Sequence, residues 1–439
     1  MSERNKKLIE SIKTSLDEKV FRETSLGKSK AFCLDSSWTI SEISKSLVDD
    51  FFSKEFLPWF LKPGQRLLKK DDKLKQFHAF LANLKHAFPI RPLRLSLHTN
   101  EYSKDPFFST FIIDVFRWLE HEQYIHLIRG FSSAKGNVAL QTRVCPKRKL
   151  RDRILDKLEL SNITATLDFE QLIILRNEKK ASIPYNNTQS TLDLKKKLQS
   201  INNENSKHRI EFVIGKHNGY ISAQLHAVFN NSSFTQNGRI YSGALGYQGL
   251  PKLVRKTILI DGETTVERDY SAHHPRIMYA LKGISYTEDP YKAIFEDIDD
   301  KLIKILKAVF LVLINAPNKA KVHGGIFKRL ESIPKSFSVL KEKNLTIAGL
   351  VKLCKSVHKD IEELFTSNQG FRLANIDSLI ALQVVEYFTS QGKACLPVHD
   401  SFIVKEEDDQ ELVNIMSHVY NNVMKESTKS NMDFTCIIK

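Results

Sequence analysis

Two aspartates stand where a basic chain could use them for phosphoryl transfer. Asp269 closes a short β-branched run in TTVERDYSAHHPRIMYA, and Asp400 lies in KACLPVHDSFIVKEE, where two apolar strands meet at His399 and Asp400. Carboxylates brought together can bridge two divalent ions about 3.5–4 Å apart. One ion lowers the pKa of an attacking 3′-hydroxyl, and the other offsets charge developing on the leaving phosphates. Mg²⁺, with Mn²⁺ as the alternative, suits such a pair because it takes hard oxygen ligands and keeps substrate phosphates in its shell. Spacing alone does not make the two aspartates meet, and two structural turns would read the same way.

The surrounding residues specify the elements that must carry them. Val266 and its β-branched neighbours predict a strand ending at Asp269, followed by a helix containing Arg276 and Tyr279. DDKLIKILKAVFLVLINA predicts a helix with an apolar face and a basic edge of Lys301, Lys304 and Lys307. Upstream, QNGRIYSGALGYQGLPKLVR is rich in glycine and turns and holds Arg239, Gln248 and Arg255.

Three of these segments, in this order, resemble family A DNA polymerases. DYSAHHPRIM at 269–278 resembles motif A, VHDS at 398–401 resembles motif C, and NGRIYS followed by QGLP resembles the stretch preceding motif A. The resemblance covers roughly residues 200–439 and implies an α+β right-hand fold with palm, compact fingers and thumb. It implies that Asp269, Asp400 and the carbonyl of Tyr270 hold the metal ions. Arg239 would touch the primer end in the minor groove, and His399 would stand beside the primer terminus. Gln248 and Arg276 complete the expected nucleic-acid contacts, Arg276 with a structural character. Lys307 would grip the incoming triphosphate, with Lys304 nearby, and Tyr270 and His274 would border the nucleotide.

Some positions depart from the family. His274 stands where those polymerases place a glutamate that helps exclude ribonucleotides, and Asn315 stands where their fingers carry a tyrosine. His399-Asp400-Ser401 is more similar to phage-type single-subunit RNA polymerases, whereas DPYKAIF at 289–295 resembles the stretch just before the fingers helix in phage-type family members. Adjacent histidines at a helix start point in different directions, which disfavours His273 and His274 as a metal pair.

The remaining chain bounds the reading. With 439 residues and 41% apolar content there is material for two or three domains with cores of their own. Lys and Arg outnumber Asp and Glu by 66 to 51, a net charge of +15 that favours polyanionic partners. Five scattered cysteines make neither a disulfide framework nor a CxxC metal site and fit a reducing, cytoplasmic compartment. MSERNKKLIESIK lacks a signal-peptide core and AVFLVLINA is too short to span a bilayer, so no membrane partner is expected. Residues 1–100 read as a basic helical region, with Lys69, Lys70, Lys73 and Lys75 on a surface helix. Residues 101–155 read as a winged-helix-like segment whose tip Lys135 and flanking Arg129 and Arg143 would reach phosphates. A linker with thumb-like helices is expected over 156–235 and the palm with compact fingers over 236–439. Over residues 1–180 no Asp-x-Glu strand with distant acidic partners, as a proofreading exonuclease needs, is identifiable.

These features point to a template-directed DNA polymerase of phage or mobile-element type, using primer-template, nucleoside triphosphates and a replication or processivity partner. A polymerase using ribonucleotides or no template, and a non-enzymatic DNA-binding replication factor, are the alternatives. A two-metal nuclease would need further carboxylates.

Overall fold

The computed structural model describes residues 32–33, 39–87, 92–95, 102, 107–128, 131–132, 139–140, 142–158, 160–161, 169–214, 217–242, 246–295 and 298–439. Helices and sheets mix throughout, an α+β chain. It forms two units that are not contiguous in sequence. One draws on the chain to Leu167, on Asn205–Gln224 and on Ser242–Thr265; the other draws on Asp168–Glu204, Leu225–Tyr241 and Val266–Lys439. The linear division expected from composition is therefore not how the contacts cluster.

The first unit is built on aromatic packing. Phe52 meets Phe77 edge-on at 5.0 Å, and Phe56 meets Trp118 at 5.3 Å, all four buried. Helix Lys70–Ala87 exposes Lys70 and Lys75 near its start and leaves Lys73 half-buried, but every residue from Gln76 to Leu84 is buried, so its second half is core. Helix Phe111–His121 buries Phe111, Ile112, Val115, Phe116 and Leu119 along one stripe. Strands Ile125–Ile128 and Thr142–Pro146 then pair antiparallel, as expected for helix, strand, turn, strand. They belong to a four-stranded sheet with Leu93–Leu95 and Phe32–Cys33, which does not single out a winged helix.

Lys135 and Arg129 lie outside the described residues. Arg143, expected at the phosphates, is only 8% exposed, and burial together with the charge of Arg94 lowers its pKa. In the same unit Asp261 and Gly262, both at positive φ, make the two-residue turn between Ile258–Ile260 and the strand beginning at Glu263. Asp-Gly is the composition such a turn favours.

The second unit holds both aspartates. Its elements are β1 (Ile173–Leu175), α1 (Gln189–Asn205), β2 (His226–Asn230), β3 (Ser233–Tyr241), β4 (Glu263–Asp269, from Val266 on), α2 (His273–Leu281), α3 (Asp300–Asn315), α4 (Val322–Leu330), α5 (Ile347–Val357), α6 (Gly370–Ser390), β5 (Leu396–Val398), β6 (Ser401–Lys405) and α7 (Asp409–Thr428). Helix α1 has its start fixed by Thr188 and Thr191 exchanging side chain-to-amide bonds at 3.3 and 2.8 Å. β2 is central in a three-stranded sheet, parallel to β1 and antiparallel to β3. β4, β6 and β5 are neighbours in that order in the other sheet. Helix α6 packs along β3, and α7 packs on α6 and α2.

α3 has the two-sided character its sequence predicts. Leu302, Ile305, Leu306, Val309, Phe310 and Leu313 are buried, whereas Lys301, Lys304 and Lys307 share the exposed side. Asp299 caps it by accepting from the Leu302 amide at 2.7 Å. Phe310 anchors its inner face, meeting Tyr291, His358 and Phe365 edge-on at 5.4, 5.1 and 5.7 Å. Replacing Phe310 with alanine removes those contacts and is expected to cost about 3–5 kcal/mol. Urea denaturation of Phe310→Ala checks this, and a loss under about 1 kcal/mol would show that the cluster does not hold α3.

Candidate active site

Strand β4 ends at Asp269, and hairpin β5–β6 turns through His399 and Asp400. Val398 pairs with Ser401, leaving His399 and Asp400 as the two loop residues. Because β4 and β6 are adjacent strands, the two aspartates arrive at neighbouring strand ends. A main-chain bond from the Tyr270 amide to the Asp400 carbonyl, 3.1 Å, links the two segments directly. The other side of 269–271 is also tied. Asp269 exchanges amide and carbonyl bonds with Lys439 at 3.1 and 3.0 Å, and the Ser271 amide donates to Ile437 at 2.7 Å.

Both segments carry unusual backbone. His399 sits at φ 61°, and Ala272, just before α2, at φ 50°. Histidine tolerates the left-handed region better than most residues, whereas alanine does so rarely. Each such residue costs roughly 1–3 kcal/mol and persists only where its surroundings over-determine it. Here the strain lets the chain turn immediately beside each carboxylate.

Two residues not anticipated from sequence surround the pair. Glu267 precedes Asp269 by two positions and so shares its strand face. Its Oε1 accepts from the Ser401 hydroxyl at 3.0 Å, across from β6. Asp377, on α6, is only 2% exposed and is the hub of a charged network. Arg239 donates through Nε at 2.9 Å and lies 2.8 Å away through Nη2, and His273 Nε2 lies 3.4 Å from the other oxygen. That last distance allows charge attraction but not a well-formed hydrogen bond. Burial pushes the Asp377 pKa up, yet His273, Arg239 and His274 together bring it far below the usual carboxylate range. The available signal was an acid on the apolar stripe of α6, with Leu373, Ile380 and Val384.

Arg239 reaches this network through a backbone irregularity. Val228 pairs with Arg239 and Phe229 with Asn237, so Gly238 is an extra residue in β3. Asn237 and Gly238 both have positive φ, and a Cβ on Gly238 would lie 2.8 Å from the Phe229 ring and 2.9 Å from the Ser378 hydroxyl. The bulge re-aims Arg239 toward α6. Burial works against its charge, but Asp377 and then Asp400 outweigh it and raise its pKa. The field of Asp400 thus reaches Arg239.

It also reaches Tyr291, whose pKa is raised by burial, then by Asp289 and Asp400. Lys307 stands over the Tyr291 ring, 5.7 Å from its centroid. Lys307 and Lys304 are exposed on α3, and Asn315, where the resemblance expects a tyrosine, turns its amide back to the Leu311 carbonyl at 2.7 Å.

Other expected residues fall elsewhere. Arg276 is 2% exposed and donates to the carbonyls of Ser271, Tyr286 and Glu288, the first and last at 3.0 and 2.7 Å. Its guanidinium is thus engaged by the backbone around α2, in keeping with the structural character expected of it. The Tyr270 ring is buried, stacked 4.5 Å from His273, with its hydroxyl donating to the Met416 carbonyl at 2.7 Å. Only its main chain is in a position to serve the site. Gln248 belongs to the first unit, where its Oε1 accepts from the Ser242 amide at 3.2 Å. His399 packs its ring 5.7 Å from Tyr241. His273 and His274, expected to point apart, both join the network around Asp377 and Arg239.

His274 Nε2 lies 3.3 Å from Arg239 Nη2, and burial pulls its pKa down to about 4 against the pull of Asp377. A folded-state pKa below the unfolded value means that the neutral form is favoured on folding. That stabilisation is complete above about pH 6.5 and is lost as pH falls toward 4, about 2 kcal/mol being gone by pH 4.5. His274→Gln should abolish this part of the pH dependence. Urea denaturation at pH 7 and 4.5 measures it; an equal acid loss in both proteins would mean that His274 titrates as if in water.

Among the described residues no cluster of three or more His, Cys, Asp or Glu could hold a metal ion. The donor set at the strand ends is two carboxylates and main-chain oxygens. Such a set fits Mg²⁺, which completes its shell with water and substrate phosphates rather than a full protein cage. No described helix is long and apolar enough to cross a membrane.

No protein-family model matches the chain, and no curated protein matches it. Among solved structures, the chain is similar to the POL domain of Pol1 from M. smegmatis in complex with DNA primer-template and dNTP. The identity is 14% and the TM-score 0.28, over 57% of this chain and 51% of that one. The chain thus matches about half the length of that domain.

Proposed function

We propose that the chain is a nucleotidyltransferase that extends a nucleic-acid 3′ end, with Asp269 and Asp400 holding two Mg²⁺ ions. The observation that carries this reading is the convergence of two aspartates, distant in sequence, on adjacent strand ends joined by the Tyr270–Asp400 main-chain bond. The family A resemblance of the segments around them supplies the reaction class. When bound, the ions would activate the 3′-hydroxyl and neutralise the leaving phosphates.

The protein's own residues position the reactants. Asp377 fixes Arg239 while Nη1 keeps no acceptor among the described residues, leaving it to donate to the primer end. The Tyr270 carbonyl is the proposed third protein oxygen, and His399 would border the primer terminus. Lys307, with Lys304 one turn away, would take the triphosphate on the exposed side of α3. The finer reading is a template-directed DNA polymerase of phage or mobile-element type. A ribonucleotide-using polymerase is kept as a second reading because a neutral His274, bound to Arg239, stands at the sugar-selecting position.

Asp269→Ala and Asp400→Ala should each lower primer extension with Mg²⁺ or Mn²⁺ by at least about a hundredfold while duplex binding persists. Extension surviving both changes would remove the mechanism. Parallel reactions with dNTPs or NTPs, with and without template, separate the polymerase readings. Lys307→Ala should raise the KM for nucleotide about tenfold, the loss of one charge-assisted phosphate contact. An unchanged KM would assign the triphosphate contact to Lys304 or another group.

A further inference from the structure

Helices α4 and α5 of the second unit, with the segments flanking them, enclose a cavity of about 480 Å³ that the carboxylate site does not use. Its volume falls in the roughly 300–1,000 Å³ range of sites that enclose small organic ligands. The lining has two chemistries. Val322, Ile347 and Val351 supply apolar surface, the first two at least nine-tenths buried. Lys319, Lys352 and Lys355 supply positive charge against the single carboxylate of Glu362.

These lysines are not committed to strong pairs. Lys355 Nζ is 3.5 Å from Glu362 Oε1, a long contact, and neither Lys319 nor Lys352 has an ion-pair partner among the described residues. On α5 the residues Ala348, Val351, Lys352 and Lys355 follow helical spacing, so apolar surface and lysines share one face. A bare phosphate would leave the apolar wall without a partner, and a lipid chain would leave the amines without one. A planar, weakly polar ring system joined to phosphate satisfies both.

We infer that this cavity is a second nucleotide site, in which a base lies on Val322, Ile347 and Val351 and its phosphate is held by Lys352, Lys355 and Lys319. The nucleotide could be free or one unit of a single strand, since both present the same base-plus-phosphate chemistry. The inference does not rest on Asp269 or Asp400. The test uses the full chain carrying Asp269→Ala and Asp400→Ala, in EDTA, so that a metal-dependent site stays silent. One arm titrates mant-ATP by fluorescence, and the other titrates a fluorescein-labelled single-stranded oligonucleotide by anisotropy.

Saturable binding is expected in at least one arm, weakened about tenfold by Lys352→Glu and blocked by Ala348→Trp, which fills the mouth from an exposed position. In the oligonucleotide arm Lys352→Glu should also lower the salt dependence by about one counterion. Binding of mant-ATP alone would identify a free-nucleotide site, and binding of the oligonucleotide alone a strand site. No binding in either arm, or binding that both variants leave unchanged while their melting curves match the parent, would overturn the proposal. Since the background variants already lack the carboxylate pair, that failure would be independent of the polymerase reading.

Discussion

The buried carboxylate of Asp377 is the constraint on which the site depends. A charge at 2% exposure persists only if its surroundings supply compensating charge and hydrogen bonds. Here the compensation comes from two places in the chain: the bulged strand β3 through Arg239, and the start of α2 through His273. Satisfying one carboxylate therefore fixes β3, α2 and α6 relative to one another. The same α2 begins directly after Asp269, so the orientation of the candidate metal-holding strand end is bound to the same interaction.

A second layer of support comes from the main chain. Arg276 ties the loop carbonyls of Tyr286 and Glu288 to Ser271, and Tyr270 anchors through its hydroxyl to α7. Hydrogen bonds with Ile437 and Lys439 hold 269–271 from the other side. These contacts explain how Ala272 and His399 can occupy the left-handed region on either side of the site. Strain of this kind lasts because many local bonds would have to break to release it.

Much of the second unit was legible from its sequence, because its signals are local. The strand through Val266, the helix bearing Arg276, the hairpin around Asp400 and the two-sided helix α3 follow from β-branching, periodicity and turn chemistry, and all are present. The partners of those elements were not legible. Asp377 lies far along the chain from Arg239, and periodicity reveals that an acid falls on an apolar stripe without revealing what will neutralise it. The surroundings of Arg276 and Arg143 were not legible for a related reason. An arginine in a basic chain reads as a phosphate contact until burial and backbone acceptors show where its donors go. The interleaving of the two units is likewise a property of long-range contacts that composition does not encode.

His274 shows how a local departure and a distant residue can be parts of one arrangement. Where the resemblance expects a glutamate, this chain has a ring that burial keeps neutral, and a neutral imidazole cannot carry the charge a carboxylate would bring. The negative charge is instead on α6, as Asp377, and it reaches the same surroundings through Arg239. Arg239 therefore stands between an acid that fixes it and a neutral ring that leaves its positive charge undiminished. In the proposed reaction the arginine that donates to the primer end, rather than an acidic side chain at position 274, would be the charged group next to the sugar-selecting position. Discrimination at that position would then depend on hydrogen-bond geometry to a donor, which favours neither sugar by charge. In the proposed reaction, selection of the sugar would thus be tied to the Asp377–Arg239–His274 arrangement more closely than to Asp269 or Asp400.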